Sequence, residues 1–188
     1  MGVPFLDPRP MNAEDFFAFT ATRPDDEKWE LIEGEPVLNA SATFLHQIIA
    51  RNLIVLLDRA AFAAGEAWAA IPGVGIRISA ISAPVPDVLI RPNDGLNGAE
   101  CDDALVAFEI LSPSTANRDL RWKRKAYASL PSLSQYVVVA QDAVEVVSYD
   151  RKSDFAERRF ESAEADLDLP IIGARLTLRD IYRGTGLL

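Results

Sequence analysis

The sequence predicts an α/β chain in which a central mixed β-sheet is flanked by helices, and three observations carry that prediction. Short apolar runs recur as strand candidates at 67–71, 75–79, 87–91, 105–111, 136–140 and 144–149. From 43 to 64 the residues Leu45, Ile48, Ile49, Leu53, Leu56, Leu57 and Ala60 fall at helical period, the pattern of a long amphipathic helix. A second helical stretch, 119–130, interrupts the strand series.

The elements follow in order. Residues 1–10 are rich in proline and read as an irregular N-terminal arm. Asn12, with Asp15 three residues on, is an N-cap with an acid in the first turn, opening a short helix through Phe16, Phe17 and Phe19. Arg23 to Lys28 is a charged turn. Trp29-Glu30-Leu31-Ile32 and Pro36-Val37-Leu38 pair as a hairpin about Glu33-Gly34-Glu35. The long helix stops at Gly65. Residues 93–103 are polar, contain two glycines and read as a loop. The strands at 136–140 and 144–149 are joined by Gln141-Asp142-Ala143, 155–160 adds an edge strand, and Thr177 caps a short helix through Ile181.

A length of 188 residues is that of one domain, 1–188, and 49% hydrophobic residues supply a normal core. The single Cys101 cannot form an internal disulfide, which suits a reducing cytoplasm. No basic-then-apolar leader is visible, and no apolar run reaches the roughly 18 residues of a membrane span, so a cytoplasmic chain with no membrane partner is expected. The net charge of −9 argues against tight, indiscriminate nucleic-acid binding, which comes from neutralising phosphates with Lys and Arg. It leaves a local basic groove open.

The chemistry begins with Glu109, a carboxylate inside the apolar run Ala104 to Leu111, on the face of Leu105, Ala107 and Leu111. Asp87, beside Pro86, opens the apolar strand Val88-Leu89-Ile90 in the same way. An unpaired carboxylate in a core costs several kcal/mol. Two acids on core strands share one economical explanation, a bound divalent cation. Their hard oxygens favour Mg²⁺ or Mn²⁺, and there is no Cys/His cluster for zinc. Asp119, Lys123 and Tyr127 recur at helical spacing, so an ammonium group can stand on one helix face near these acids while Lys125, about 200° round the helix, points away. The alternative for Lys123 is an ordinary solvated i,i+4 pair with Asp119. Arg118, Arg121, Arg124 and Lys125 form a locally basic stretch suited to phosphate contact or to plain solvation. Glu30 is a third carboxylate, a ligand, an outer acid or an ordinary strand acid. His46, the only histidine, falls on the helix face of Ile49 and Leu53 and reads as a core-edge residue that supports the site. No Ser-His-Asp or Cys-His arrangement is present, and Gly73-Val74-Gly75 is a turn without a phosphate-loop pattern.

Taken together, Met11-Asn12-Ala13-Glu14-Asp15-Phe16, Trp29 through Glu35, His46, Val85-Pro86-Asp87-Val88, Phe108 through Thr115, Asp119 through Lys123 to Tyr127, and Leu178-Arg179-Asp180-Ile181-Tyr182 cover nearly the whole chain. In this combination the sequence resembles the Uma-two family of putative restriction endonucleases, catalogued as a domain of unknown function and similar to the PD-(D/E)xK nuclease superfamily. The resemblance implies a restriction-endonuclease-like core and a Mg²⁺- or Mn²⁺-dependent endonuclease hydrolysing phosphodiester bonds of nucleic acid, DNA above all. It implies that Asp87, Glu109 and the backbone carbonyl of Ile110 hold the metal. The superfamily lysine position, two residues after Glu109, is Leu111 here, and the resemblance nominates Lys123 in its place. Glu30 would be the acid of an early element, with Asp119 and Tyr127 positioning Lys123. A homodimer is expected of a small nuclease that cuts both strands of a duplex. The contrasting expectation is a retained nuclease fold serving as an inactive binding or assembly module.

Overall fold

A computed structural model describes residues 10–24, 26–95, 98–111 and 116–188, without the side chains of 116–120. The expected arm at 1–10 lies, but for Pro10, outside them. The elements in chain order are α1 (Ala13–Thr20), β1 (Trp29–Ile32), β2 (Glu35–Leu38), α2 (Phe44–Ala63), β3 (Trp68–Pro72), β4 (Gly75–Ile76), β5 (Val88–Pro92) and β6 (Glu100–Cys101). They continue with β7 (Val106–Leu111), α3 (Ala116–Ser129), β8 (Gln135–Ala140), β9 (Val146–Asp150), β10 (Ala156–Phe160), β11 (Asp166–Leu169), β12 (Ala174–Thr177) and α4 (Leu178–Ile181).

The expected mixed sheet has six strands in the order β10-β9-β8-β7-β5-β3. All neighbours are antiparallel except β7 and β8, which run parallel from Val106↔Gln135 to Leu111↔Ala140. A parallel pair needs a crossover, and α3 is that crossover. The sheet is covered on both faces, which is why β7 and β8 read as continuous apolar runs. On one face α2 and α4 pack Ile49, Leu53, Leu57 and Ile181 against Val88, Ile90, Phe108, Ile110 and Val137. On the other, Tyr127 and Leu130 cover Leu89, Ala107, Tyr136 and Val138. A smaller cluster of Ala13, Phe16, Leu31 and Ala83 holds α1 to the hairpin β1–β2.

The two expected caps form: Asn12 accepts a bond from the Asp15 N–H, and Thr177 caps α4; Thr43, not singled out as a cap, caps α2. Three parts of the chain depart from expectation. The strand expected at 75–79 shortens to Gly75–Ile76 and pairs in parallel with β6, inside the stretch read as a loop. Arg77 clamps that pairing by donating its Nε and Nη2 to the Glu100 carboxylate. The antiparallel hairpin β11–β12 was not expected at all. Helix α3 begins at Ala116, three residues before the expected start. Among the described residues no helix is long and apolar enough to cross a membrane.

Candidate active site

The central pairing β5–β7 assembles the site. Its antiparallel register sets Val88 opposite Phe108, and the Asp87 N–H donates to the Phe108 carbonyl at 3.0 Å. Asp87 therefore stands at the start of its strand beside the C-terminal half of β7, where Glu109 and Ile110 lie. One Asp87 oxygen, Oδ2, accepts the Ile110 N–H at 2.7 Å and lies 3.1 Å from His46 Nε2. The other, Oδ1, accepts Lys28 Nζ at 2.7 Å. Burial by itself would raise the Asp87 carboxyl. The His46 hydrogen bond and the Lys28 ammonium outweigh burial and hold it well below the usual carboxylate range.

Glu109 points to the α3 side of the sheet. Its Oε1 accepts both Lys123 Nζ at 2.9 Å and the Tyr127 hydroxyl at 3.0 Å. Lys123 and Tyr127 are one turn apart on α3, and both are buried, whereas Lys125 is exposed, as helical spacing requires. Lys123 Nζ also donates to Glu30 Oε1 at 2.8 Å, and that oxygen accepts the Val85 N–H at 2.9 Å. Glu30 reaches this point because β1 is tied to the preceding segment of β5 through paired bonds between Leu31 and Ala83.

Burial pushes the Glu109 carboxyl up to about 7; Lys123 opposes the rise, while the negative charges of Asp87 and Glu30 add to it. Burial would also raise Glu30, but Lys123 holds it below its ordinary value. Desolvation works against the Lys123 ammonium, and Glu109 and Glu30 more than compensate, so it stays charged. Removing one partner from such a buried set leaves an uncompensated charge and costs about 3–5 kcal/mol.

These groups open onto a cleft of about 270 Å³ lined by Lys28, His46, Asp87, Glu109, Ile110 and Lys123, with Asn39, Gln47, Tyr136 and Gln141 around them. His46 is a cleft residue, not merely a core-edge one. Thr43 caps the helix turn that carries it, accepting the His46 backbone N–H at 3.2 Å and donating to Gln141 Oε1 at 2.7 Å. Tyr127 bonds to Glu109, so it orients the acid and not Lys123 as expected. The side chains of Arg118 and Asp119 lie outside the described residues. Arg121 is exposed. Arg124 is turned to the sheet, donating to the Phe155 carbonyl with its guanidinium 4.7 Å over the Tyr149 ring. Lys28 was missed. It sits in a charged turn that looks like solvated surface, and its one signal is the i, i+2 relation to Glu30, which puts both on one side of an extended segment.

As a cation site, the donor set is Asp87 and Glu109 with the Ile110 carbonyl, which in an extended strand projects to the same side as the N–H bonded to Asp87. Among the described residues no three His, Cys, Asp or Glu side chains gather to hold a metal ion. The donors themselves are hard oxygens, two carboxylates and a carbonyl, the donor type that suits a hard cation such as Mg²⁺ keeping several of its own waters.

The family model described as Uma2, "Putative restriction endonuclease", matches residues 13–179. A crystal structure titled as a putative nuclease belonging to DUF820, from Anabaena variabilis ATCC 29413, is similar at a TM-score of 0.75, covering 92% of this chain and 98% of that one. The two are 15% identical, so the likeness is one of fold. No curated protein matches the chain. The matched span takes in the whole six-stranded sheet, α1 to α3 and every residue that lines the cleft, and the chain belongs to the Uma2 family of putative restriction endonucleases.

Proposed function

We propose that the chain is a divalent-metal-dependent endonuclease that hydrolyses phosphodiester bonds of nucleic acid, with DNA as the preferred form. The observation that carries this reading is the meeting of Asp87, Glu109 and Lys123, from a strand start, a strand end and a helix, on one open cleft. Asp87, Glu109 and the Ile110 carbonyl would hold Mg²⁺ or Mn²⁺, which supplies Lewis acidity toward the phosphate and an acidified water. Lys123 serves as the catalytic lysine in the place left by Leu111. Held charged by two carboxylates, its ammonium faces charge that builds on the scissile phosphate. Glu30 fixes Lys123, Tyr127 fixes Glu109, and His46 with the Ile110 N–H fixes Asp87. Exposed Arg121 and Lys125 are the phosphate-contacting residues of the basic stretch, and a two-fold dimer would present two such clefts to a duplex.

The test is cleavage of single- and double-stranded DNA and RNA with Mg²⁺ or Mn²⁺. Wild type should cut at least one form, and Asp87→Ala should lower the rate by about 100-fold or more, the scale of losing a main electrostatic contributor. Cleavage by neither protein would leave the fold as a binding or assembly module.

A further inference from the structure

Asp87 is over-supplied with donors, and they are not equivalent. Oδ2 is held by a backbone N–H of a central strand and by an imidazole aimed from the capped first turn of α2. Both donors are fixed by the fold. Among the described residues Oδ1 has one partner, the ammonium of Lys28 at 2.7 Å. Lys28 comes from the segment before β1, its side chain is 35% exposed against 8% for Asp87, and its four-carbon stem can swing without moving backbone. Oδ1 is therefore the oxygen that Asp87 can give up, and a lysine stands on it.

We propose that Lys28 is a positioning residue that holds the place of the cation on Asp87 and is displaced when the cation binds. This rests on the reading of Asp87 and Glu109 as metal ligands. Two carboxylates beside one another need positive charge between them and the solvent, and Lys28 supplies it in the metal-free protein. A divalent ion on Oδ1 both repels the ammonium and replaces its charge. The displaced Lys28 stays on the cleft wall, where an incoming phosphate is its natural partner. Metal loading would thus free for the substrate a cation that is otherwise engaged by Asp87.

The test measures Mn²⁺ binding to the full chain by calorimetry, alongside amine labelling of Lys28 read by mass spectrometry. Lys28→Met removes the competitor while keeping a long side chain, and should bind Mn²⁺ about ten-fold more tightly than wild type. A purely structural Lys28 would lower stability without tightening metal binding. In wild type, Mn²⁺ should raise the labelling of Lys28 and leave exposed Lys125 unchanged, a measurement that needs no variant to fold. Equal or weaker Mn²⁺ binding in Lys28→Met, or labelling unmoved by Mn²⁺ that wild type demonstrably binds, overturns the proposal and leaves the nuclease reading intact. Absence of Mn²⁺ binding in wild type, Lys28→Met and Asp87→Ala alike overturns both.

Discussion

Glu109 shows how one residue can be readable in a sequence while its neighbours are not. An acid inside an apolar strand needs a reason, and the sequence displays the anomaly directly. The helical spacing then names one partner, Lys123, found on Oε1, and puts Tyr127 on the same face, where it bonds to Glu109 and not to Lys123. Lys28 carries no such anomaly, because a lysine in a charged turn satisfies every local rule. The raised Glu109 carboxyl has a measurable consequence. Unfolded, it ionises near about 4.3; folded, it holds its proton up to about 7. This group's contribution to stability is therefore complete below the lower value and lost as pH rises through the upper one. Asp87 and Glu30, held low, act in the opposite sense, and their contribution is lost as pH falls below the ordinary carboxylate range. Glu109→Gln keeps the shape and cannot ionise. Its stability relative to wild type should rise between pH 5 and 7 and level off above that, in urea denaturation across the range. Parallel curves for the two proteins would show that Glu109 ionises normally.

At the scale of elements, the hairpin β1–β2 was legible because its turn chemistry is explicit. Glu33 and Gly34 have φ of 50° and 85°, the two consecutive left-handed residues of a tight hairpin turn. Gly34 has a second constraint that no local pattern reveals: a Cβ there would fall 2.4 Å from Pro10 Cβ and 2.9 Å from Pro10 Cα. Gly73 has a similar φ of 69° but open space around it. Gly34→Ala should therefore cost about 2–3 kcal/mol, backbone strain plus steric displacement, and Gly73→Ala about 1 kcal/mol, strain alone. Thermal melts should order them so, and because Glu30 rides on this hairpin, only Gly34→Ala should also disturb the site. Equal losses would mean that the Pro10 contact contributes nothing. The hairpin β11–β12 shows the other case. Leu167 and Leu169 alternate with Asp166 and Asp168, buried against half-buried, a true period of two. It runs for only four residues, and aspartate is a poor strand former, so local preference and pattern disagree. β4 and β6, at two residues each, are too short to carry any period and exist only through their long-range pairing.

For the molecule as a whole, strand order and register were beyond the sequence, since both are set by partners distant along the chain. They also decide the chemistry: the β5–β7 register turns two separate acids into neighbours. The same long view bears on how a chain of net charge −9 meets a polyanion. The cleft itself presents Asp26, Asp87 and Glu109 against the ammonium groups of Lys28 and Lys123, and both lysines are already paired with carboxylates. On the proposed reading, a phosphate entering the cleft without metal would meet carboxylates whose lysine partners are already engaged, on a chain whose overall charge opposes it. On the same reading, a divalent cation held by Asp87 and Glu109 would reverse that local sign. Nucleic-acid binding should accordingly be linked to the metal before any cleavage takes place. Fluorescence anisotropy of a labelled oligonucleotide should show weak binding in EDTA and, with millimolar Ca²⁺ as a hard cation of the same charge, tightening of about ten-fold or more. Asp87→Ala should lose that gain while keeping the weak, salt-sensitive background set by Arg121 and Lys125. Tight binding in EDTA, indifferent to Ca²⁺, would instead place the nucleic acid on another surface of the molecule, away from the carboxylates.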